Sequence, residues 1–503
     1  MDSAEWDCLD ENTAEEALTC VSVATGAKCL STSQIAQCNG LVLHDSHAEI
    51  LALRAFNHWL LEECKSALTH YKEKHINCSC IGSPYDGTLN YKGPSTCSGS
   101  RFLQWNPESV ERIENSRDSK DGNLQTSMPW PPFRIKEDVN IWMYCSCAPC
   151  GDASMELCMA AQEDATPWDL PVPESGDSET STEPPHALLN GRAHFSILGV
   201  VRRKPSRADA ESTLSKSCSD KLALKQVTSI LSFPTSLLVA PTSNAYISNI
   251  ILPEDELNRV GCNRSFGNGE TGRMRALNSC VWETKSTADE IFTFRPFRVN
   301  SLPMEVFKTI WKYGKPTAKL PEEKVKTGNV SAVWTASPSF SLRPPFTAKG
   351  NDVPRFPEPE WHKAYIKTAP TNLNETLING VKQGYRLNSP GFKKASALSR
   401  ARMWALLRDV FYILDGCGVM PDRGENACIS NLTQIVLSAP SYDSLKYMAA
   451  RTGNLHARAQ VLTDARLVLK NWIQNHGDGA WGLSVFDIPM KEKVARPETT
   501  RVG

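Results

Sequence analysis

VNIWMYCSCAPCGDA, residues 139–153, sets the architecture that the rest of the chain completes. Its first half, VNIWMY at 139–144, is a short apolar run rich in β-branched and aromatic residues, the pattern of a buried strand. The second half passes Cys145 and Cys147 and reaches Pro149-Cys150-Gly151. The amphipathic run that follows predicts a helix with proline in its first turn. Cys150 then falls among unpaired amides at the positive end of a helix dipole, which favours thiolate over thiol. Such a thiolate is a candidate metal ligand; the alternative is a buried cysteine acting as a small hydrophobe.

Upstream, the short apolar segment Gly40 to Leu43 leads into a helical pattern with Ile50, Leu51, Leu53, Phe56, Trp59 and Leu60 on its apolar positions. His47-Ala48-Glu49 stands at the head of that helix. Residues two apart do not share a helix face, so this pair converges only in a first turn that opens on a cavity. Ser46 and Glu49 also make a capping box, an explanation that needs no chemistry. Downstream, further strands are expected at Phe195 to Val201, which feeds the basic loop RRKPSR at 202–207, and at Ala245 to Leu252. Helical patterns occupy 395–415 and 443–475, with Trp404, Leu406 and Leu407 as core contacts. The alternation predicts an α/β fold, a core sheet flanked by helices and enlarged by a mostly helical C-terminal part. Polar stretches at 105–127 and 169–186 read as disordered insertions.

The bulk numbers bound the classes. With 503 residues, 41% apolar and 22% charged, the chain is globular in composition. A formal net charge of -1 gives no long-range attraction for a polyanion, so nucleic acid would need a local basic patch. Seventeen cysteines follow no disulfide-framework spacing, and the acidic N-terminal stretch lacks a signal-peptide core. No apolar run reaches the length of a membrane span. The expectation is a protein of nucleus or cytoplasm, with no membrane and no obligate protein partner.

A catalytic zinc site needs three protein ligands and an open position. His47 and Cys150 supply two, and Ala153 stands where a short motif would carry a second cysteine. Cys145, Cys147 and Cys218 are the candidates for the third. The first two would build a closed cluster with Cys150 and leave His47 and Glu49 unexplained. Cys218, in KSCSDKLALK at 216–225, is the stronger choice. Lys28, Arg54, Lys221, Lys225, Arg400 and Lys446 recur in segments that otherwise look buried, where their charges need a polyanion to compensate them.

His47-Ala48-Glu49, Pro149-Cys150-Gly151-Asp152-Ala153 and Ser217-Cys218-Ser219-Asp220-Lys221 together resemble the three signatures of the adenosine-to-inosine RNA deaminases. That family comprises the double-stranded-RNA editing enzymes and the tRNA-specific adenosine deaminases. The similarity continues at SVATGAKCL (22–30), Tyr246 to Leu252 and Gly477 to Trp481, and spans about residues 20 to 485. It implies a cytidine-deaminase-like core and a single deaminase domain at 21–490, between an acidic extension at 1–20 and a flexible tail at 491–503. It assigns His47, Cys150 and Cys218 to zinc, and makes Glu49 the proton shuttle while zinc-held hydroxide attacks C6 of adenosine. It also implies a buried inositol hexakisphosphate near Lys28, Arg54, Lys221, Arg400, Tyr442, Lys446 and Trp481. Leu224-Lys225 stands where the family has Arg-Trp, and Leu53 replaces an arginine while Arg54 is retained. These changes alter the relay expected between zinc and inositol phosphate, and Lys225 is expected to supply the charge absent at 224.

The resemblance is to the tRNA-specific branch, which implies adenosine 37 in the anticodon loop of alanine tRNA as the substrate. The motifs begin at residue 47, with no double-stranded-RNA-binding module expected before them. Arg202, Arg203, Lys204 and Arg207 are expected to touch the RNA backbone, as are Arg386, Lys393, Lys394, Arg400, Arg402 and Arg408. The alternatives are an editing deaminase of other structured RNA and a non-catalytic, zinc-stabilised RNA-binding protein. Ala153 argues against a cytidine or free-nucleoside deaminase.

Overall fold

The computed structural model describes residues 18–78, 100–106, 131–161, 189–191, 197–204, 211–283, 292–310, 328–339, 373–385, 391–416, 427–451, 453–470 and 472–486. The N-terminal third contains β1 (Ser22–Thr25), β2 (Ala27–Cys29), β3 (Asp45–His47), the long helix α1 (Ala48–Cys78), β4 (Leu103–Trp105), β5 (Phe133–Ile135), β6 (Ile141–Tyr144) and α2 (Met155–Ala160). Next come β7 (Leu189–Asn190), β8 (Arg202–Arg203), α3 (Cys218–Thr228), β9 (Ile247–Pro253), α4 (Arg259–Phe266), β10 (Val281–Trp282), β11 (Phe292–Thr293), β12 (Arg298–Leu302) and α5 (Met304–Ile310). The chain closes with β13 (Val330–Thr335), β14 (Asn374–Ile378), β15 (Val381–Lys382) and four helices, α6 (Arg400–Gly416), α7 (Ala427–Ser438), α8 (Tyr442–Ala449) and α9 (Gly453–Val468).

The fold is mixed α/β, as the alternation predicted. The strand at 139–144 forms as β6 and the one at 245–252 as β9; they pair in parallel, and β9 pairs in parallel with β12. Parallel pairing needs crossovers, and the segments carrying α2, α3 and α4 supply them. A second, antiparallel sheet runs β1-β13-β14-β15, with α1 packed against β1 and β13. The apolar positions read for α1 are all buried, as are Trp404, Leu406 and Leu407 of α6.

Four expectations differ from the observed fold. Between 197 and 201 no strand forms, because Gly199 takes φ +74° and ties its amide to Asp152 instead of a ladder. The helical pattern at 443–475 divides into α8, which ends at Ala449, and α9, which begins at Gly453 and ends at Val468. Pro149 does not open a helix: Gly151 sits at φ +106°, and a 3-10 turn at Asp152–Ser154 precedes α2. The insertion expected at 105–127 starts too early, because Trp105 ends β4 and is buried with Asn106; its remainder at 107–127, the stretch 169–186, residues 1–17 and the tail at 491–503 lie outside the described residues. Among the described residues, no helix is long and apolar enough to cross a membrane.

Candidate active site

β3 pairs with β2 so that Ala27 faces His47, Lys28 faces Ser46 and Cys29 faces Asp45. Strand alternation therefore puts Cys29, Asp45 and His47 on one face and Lys28 on the other. The amide of Ala48 donates to the Gly26 carbonyl at 2.9 Å, fixing the corner at which the strand becomes α1. His47 ends the strand and Glu49 lies in the first helical turn, the arrangement that lets residues two apart converge.

Cys150 and Cys218 are tied to each other through their neighbours. Ser219 donates its amide to the Cys150 carbonyl at 3.0 Å, and its hydroxyl reaches the Pro149 carbonyl at 3.1 Å. Ser217 caps α3 by accepting from the Asp220 amide at 3.1 Å, leaving Cys218 as the first helical residue. The Cys218 amide points at the Cys150 sulfur, 3.4 Å away. The dipole that favours the Cys150 thiolate is thus that of α3, not of the helix following Cys150. Gly151 is required between these groups, because its positive φ and close approach to Ser217 leave no room for a Cβ.

The Nδ1 of His47 lies 3.8 Å from the Cys150 sulfur, and one ligand atom each of His47, Cys150 and Cys218 falls within 4.8 Å of the others. Tetrahedral zinc, with Zn–S about 2.3 Å and Zn–N about 2.0 Å, asks for a ligand separation of about 3.6 Å. The donor set fits zinc. Among the described residues Cys145 and Cys147 join no such cluster, whereas Cys218 does; Cys29, Asp45 and His47 form a second close group. Glu49 is half-buried and lies close enough to Cys150, Lys204 and His47 to feel their charges; desolvation and the Cys150 thiolate push its carboxyl up.

The two thiols behave as a pair. The hydrogen bond from Cys218 brings the Cys150 thiol well below its ordinary range, with burial opposing and Lys204 and His47 assisting. Cys218 is pushed up by burial and by its neighbour's sulfur. The ammonium of Lys204 stands 3.2 Å from the Cys218 sulfur and 2.9 Å from Asp45 Oδ2. Burial works against that charge, yet Asp45 and the two cysteines outweigh it and hold Lys204 well above the usual lysine range. Asp45 also receives Lys221 and, at 2.6 Å, the Ser215 hydroxyl. A continuous polar chain therefore runs Lys221–Asp45–Lys204–Cys218. Neither Leu53 nor Leu224 interrupts it.

A second set of charges braces the ligand-bearing segments. Arg273 is almost wholly buried; it donates to Asp220 at 2.6 Å and reaches Asp152 at 4.0 Å. Each of these aspartates follows a candidate ligand cysteine by two residues. Arg264 donates to Asp152 at 3.0 Å and to Glu156 at 2.5 Å, clamping α4 onto the turn after Cys150. The Asp152 carboxyl is held below its ordinary range by Arg273 and Arg264 against the cost of burial.

On the other side of α1 and α3, cations gather. Lys225 donates to the Ile230 and Leu231 carbonyls at 3.1 and 3.0 Å, and Arg458 shares the Leu231 carbonyl at 3.4 Å. Burial, with Arg458 and Arg54 nearby, brings the Lys225 ammonium down to about 7. Burial and Arg466 bring Arg458 down to about 10. Arg54, Lys225 and Arg458 form no ion pair among the described residues, whereas Arg400 pairs with Asp478 and Lys446 with Asp443. Tyr442 and Trp481 stack at 4.9 Å beside them, and Lys446 stands 4.9 Å over the Tyr442 ring. The Nε atoms of Arg458 and Trp481 (Nε1) are buried without a hydrogen-bond partner. Unpaired like charges with orphaned donors are a donor set that suits a polyanion.

The structure thus brings together Arg54, Arg400, Tyr442, Lys446 and Trp481, and links Lys221 to the metal cluster through Asp45. Lys28 stands on the opposite face of the β2–β3 ribbon from Asp45. The basic loop is corrected. Arg202 is 1% exposed and bonded to the Gly191 carbonyl, and Lys204 is 5% exposed against Asp45, so neither reaches an RNA phosphate. Arg203 is half-buried, and Arg207 and Arg386 lie outside the described residues. Asp45, Lys204, Arg264 and Arg273 are the site residues that the sequence reading missed as such. The sequence did carry a signal for Asp45, a carboxylate two residues before a ligand histidine on a strand and so on its face.

A profile described as the adenosine-deaminase (editase) domain matches residues 22–88 and 102–348. The chain is 34% identical over 300 residues to tRNA-specific adenosine deaminase 1 of Schizosaccharomyces pombe, covering 59% of this chain and 60% of that protein. It is 34% identical over 212 residues to the Saccharomyces cerevisiae protein of the same name, 42% of this chain and 40% of that one. Double-stranded RNA-specific editase Adar of Drosophila melanogaster is 24% identical over 234 residues, 46% of this chain and 26% of that protein. The matched part thus spans three-fifths or less of these relatives' lengths. With the editase profile over more than half of its residues, this chain belongs to the adenosine-deaminase (editase) domain family.

Proposed function

We propose that the chain hydrolytically deaminates adenosine to inosine in tRNA, with adenosine 37 in the anticodon loop of alanine tRNA as the substrate. The observation that carries the reading is the convergence of His47, Cys150 and Cys218, from three separate segments, beside the half-buried Glu49. Two relatives named as tRNA-specific enzymes favour tRNA over other RNA. When bound by these three ligands, zinc supplies the Lewis acidity that makes a water molecule nucleophilic near neutral pH.

The chain's own residues do the rest. Glu49 takes a proton from the attacking water and places it on N1 of adenine, so that C6 accepts the oxygen. The tetrahedral C6 then carries a hydroxyl and an amino group. Glu49 moves the remaining hydroxyl proton to the amino nitrogen, the C6–N bond breaks with its electron pair leaving on ammonia, and inosine remains. The position of Glu49 demands that the base leave its stack, which costs least in a loop. Lys204 holds positive charge at 3.2 Å from the Cys218 sulfur, favouring its thiolate as a ligand. In this reading an inositol hexakisphosphate rests on Arg54, Lys225 and Arg458, with Arg400, Lys446, Tyr442 and Trp481 beside them. Lys221 and Asp45 couple that charge to the ligand shell.

The test is inosine formation on intact alanine tRNA, a stem-only RNA, free adenosine and a cytidine-containing RNA. The reading expects product from the first alone. Equal turnover of free adenosine or of cytidine contradicts it. Phosphate released by acid digestion of the purified protein tests the second ligand without using activity, and an active, phosphate-free protein would remove that part of the account.

A further inference from the structure

Parallel sheets are usually covered on both faces, and among the described residues the β6–β9–β12 sheet is packed on one. Met143, Ile250 and Val299 pack into the main core. The register sets Trp142 against Asn249 and Asn249 against Arg298; the next outward row is Tyr144, Ile251 and Asn300. Trp142 is 49% exposed and Tyr144 42%. Asn300 donates to the Asn249 side-chain oxygen at 3.0 Å, so both amides lie on this open surface. Beside it is a pocket of about 380 Å³ whose lining includes Trp142, Asn140, Asn244, Asn249, Arg295 and Arg298, and no carboxylate. Neither arginine forms an ion pair among the described residues.

Flat ring faces, amide donors and acceptors, and guanidinium groups without a carboxylate partner match what unpaired RNA presents: base faces, base edges and phosphates. Two aromatic residues at alternate strand positions are spaced about 6.6 Å along the strand, enough to receive successive splayed bases. β6 also runs straight into the segment that carries Cys150. The geometry points to the open face of β6, β9 and β12 as a stacking platform for unpaired nucleotides of the RNA substrate, with Arg298 on the phosphate backbone. The proposal rests on the RNA reading above. A protein partner of the same face would be met by two guanidinium groups, one of them over the Tyr246 ring, in a pocket lined by no acid, so the charge favours RNA.

The test uses the full chain with Trp142→Ala/Tyr144→Ala, Trp142→Phe/Tyr144→Phe and Arg298→Gln. Fluorescence anisotropy with alanine tRNA and with a labelled single-stranded oligoribonucleotide reads affinity, while zinc content and inosine formation at saturating tRNA are measured alongside. The double alanine variant is expected to weaken both RNAs by ten- to a hundredfold, leaving zinc content and the saturating rate unchanged. The double phenylalanine variant keeps stacking and most of the affinity. Arg298→Gln lowers the slope of log affinity against log salt by about one. Unchanged affinity in the double alanine variant overturns the platform, even if inosine is still formed. If the wild-type chain binds the oligonucleotide through these residues but makes no inosine in tRNA, the deaminase reading fails and the platform stands. A double variant that alters only self-association assigns the face to a second copy, and overturns the proposal.

Discussion

Exchanging the buried pair Asp45–Lys204 is the sharpest structural perturbation of the site. Lys204 Nζ lies 2.9 and 3.1 Å from the two Asp45 oxygens, with both side chains nearly inaccessible. At about 3 Å and an effective dielectric of about 20, two unit charges attract by about 5 kcal/mol. Removing one partner of a buried pair typically costs about 3–5 kcal/mol. Lys204→Met leaves Asp45 with Lys221 and Ser215, so about 3 kcal/mol is expected. Asp45→Asn strands two ammonium groups and is expected at the upper end, about 5 kcal/mol. The double variant removes the mismatch, and a coupling of about 2–4 kcal/mol should remain in the cycle. Urea denaturation of cobalt-substituted protein reads it, by tryptophan fluorescence and by cobalt–thiolate absorbance; coincident curves justify a single free energy. Additive single effects, or either single variant as stable as wild type, would refute the reasoning that this pair supports the ligand shell.

Other consequences follow from named groups. Arg273→Met removes the ion pair to Asp220 and the brace on Asp152; it should cost about 3–5 kcal/mol and lower zinc occupancy, measured by denaturation and metal analysis. Gly151→Ala forces a side chain at φ +106° against Ser217, and zinc retention under chelator challenge should fall by at least tenfold. Lys225, brought down to about 7 by burial and by Arg458 and Arg54, is mostly neutral at pH 8. A bound polyphosphate restores its charge, so binding at pH 8 should take up a proton and weaken as pH rises above 7. Calorimetry in buffers of different ionisation enthalpy checks this, and Lys225→Met should abolish the uptake.

Much of this was legible because it is local. The strand before Cys150 and the helix after His47 follow from short patterns whose geometry is fixed by period and capping, whereas Cys218 was singled out by the family resemblance and not by spacing. What escaped depends on long-range packing. RRKPSR looked like a basic surface loop, yet Arg202 and Lys204 are drawn inward by Asp220 and Asp45, partners distant in sequence or not yet known to be buried. The helix expected at Pro149 failed for a backbone reason, the left-handed Gly151 that Ser217 requires. Arg273 offered no sequence signal, because its meaning arises only when α3 and the turn after Cys150 are placed side by side.

The central claim is tested most directly by measuring zinc content and inosine formation together in wild-type protein and Glu49→Gln, on alanine tRNA digested to nucleosides. The account predicts inosine from wild type alone and the same zinc content in both proteins. Wild-type turnover by Glu49→Gln with its zinc intact would contradict the role given to this carboxylate, and a zinc-loaded wild-type chain that leaves the tRNA unchanged would contradict the deaminase itself.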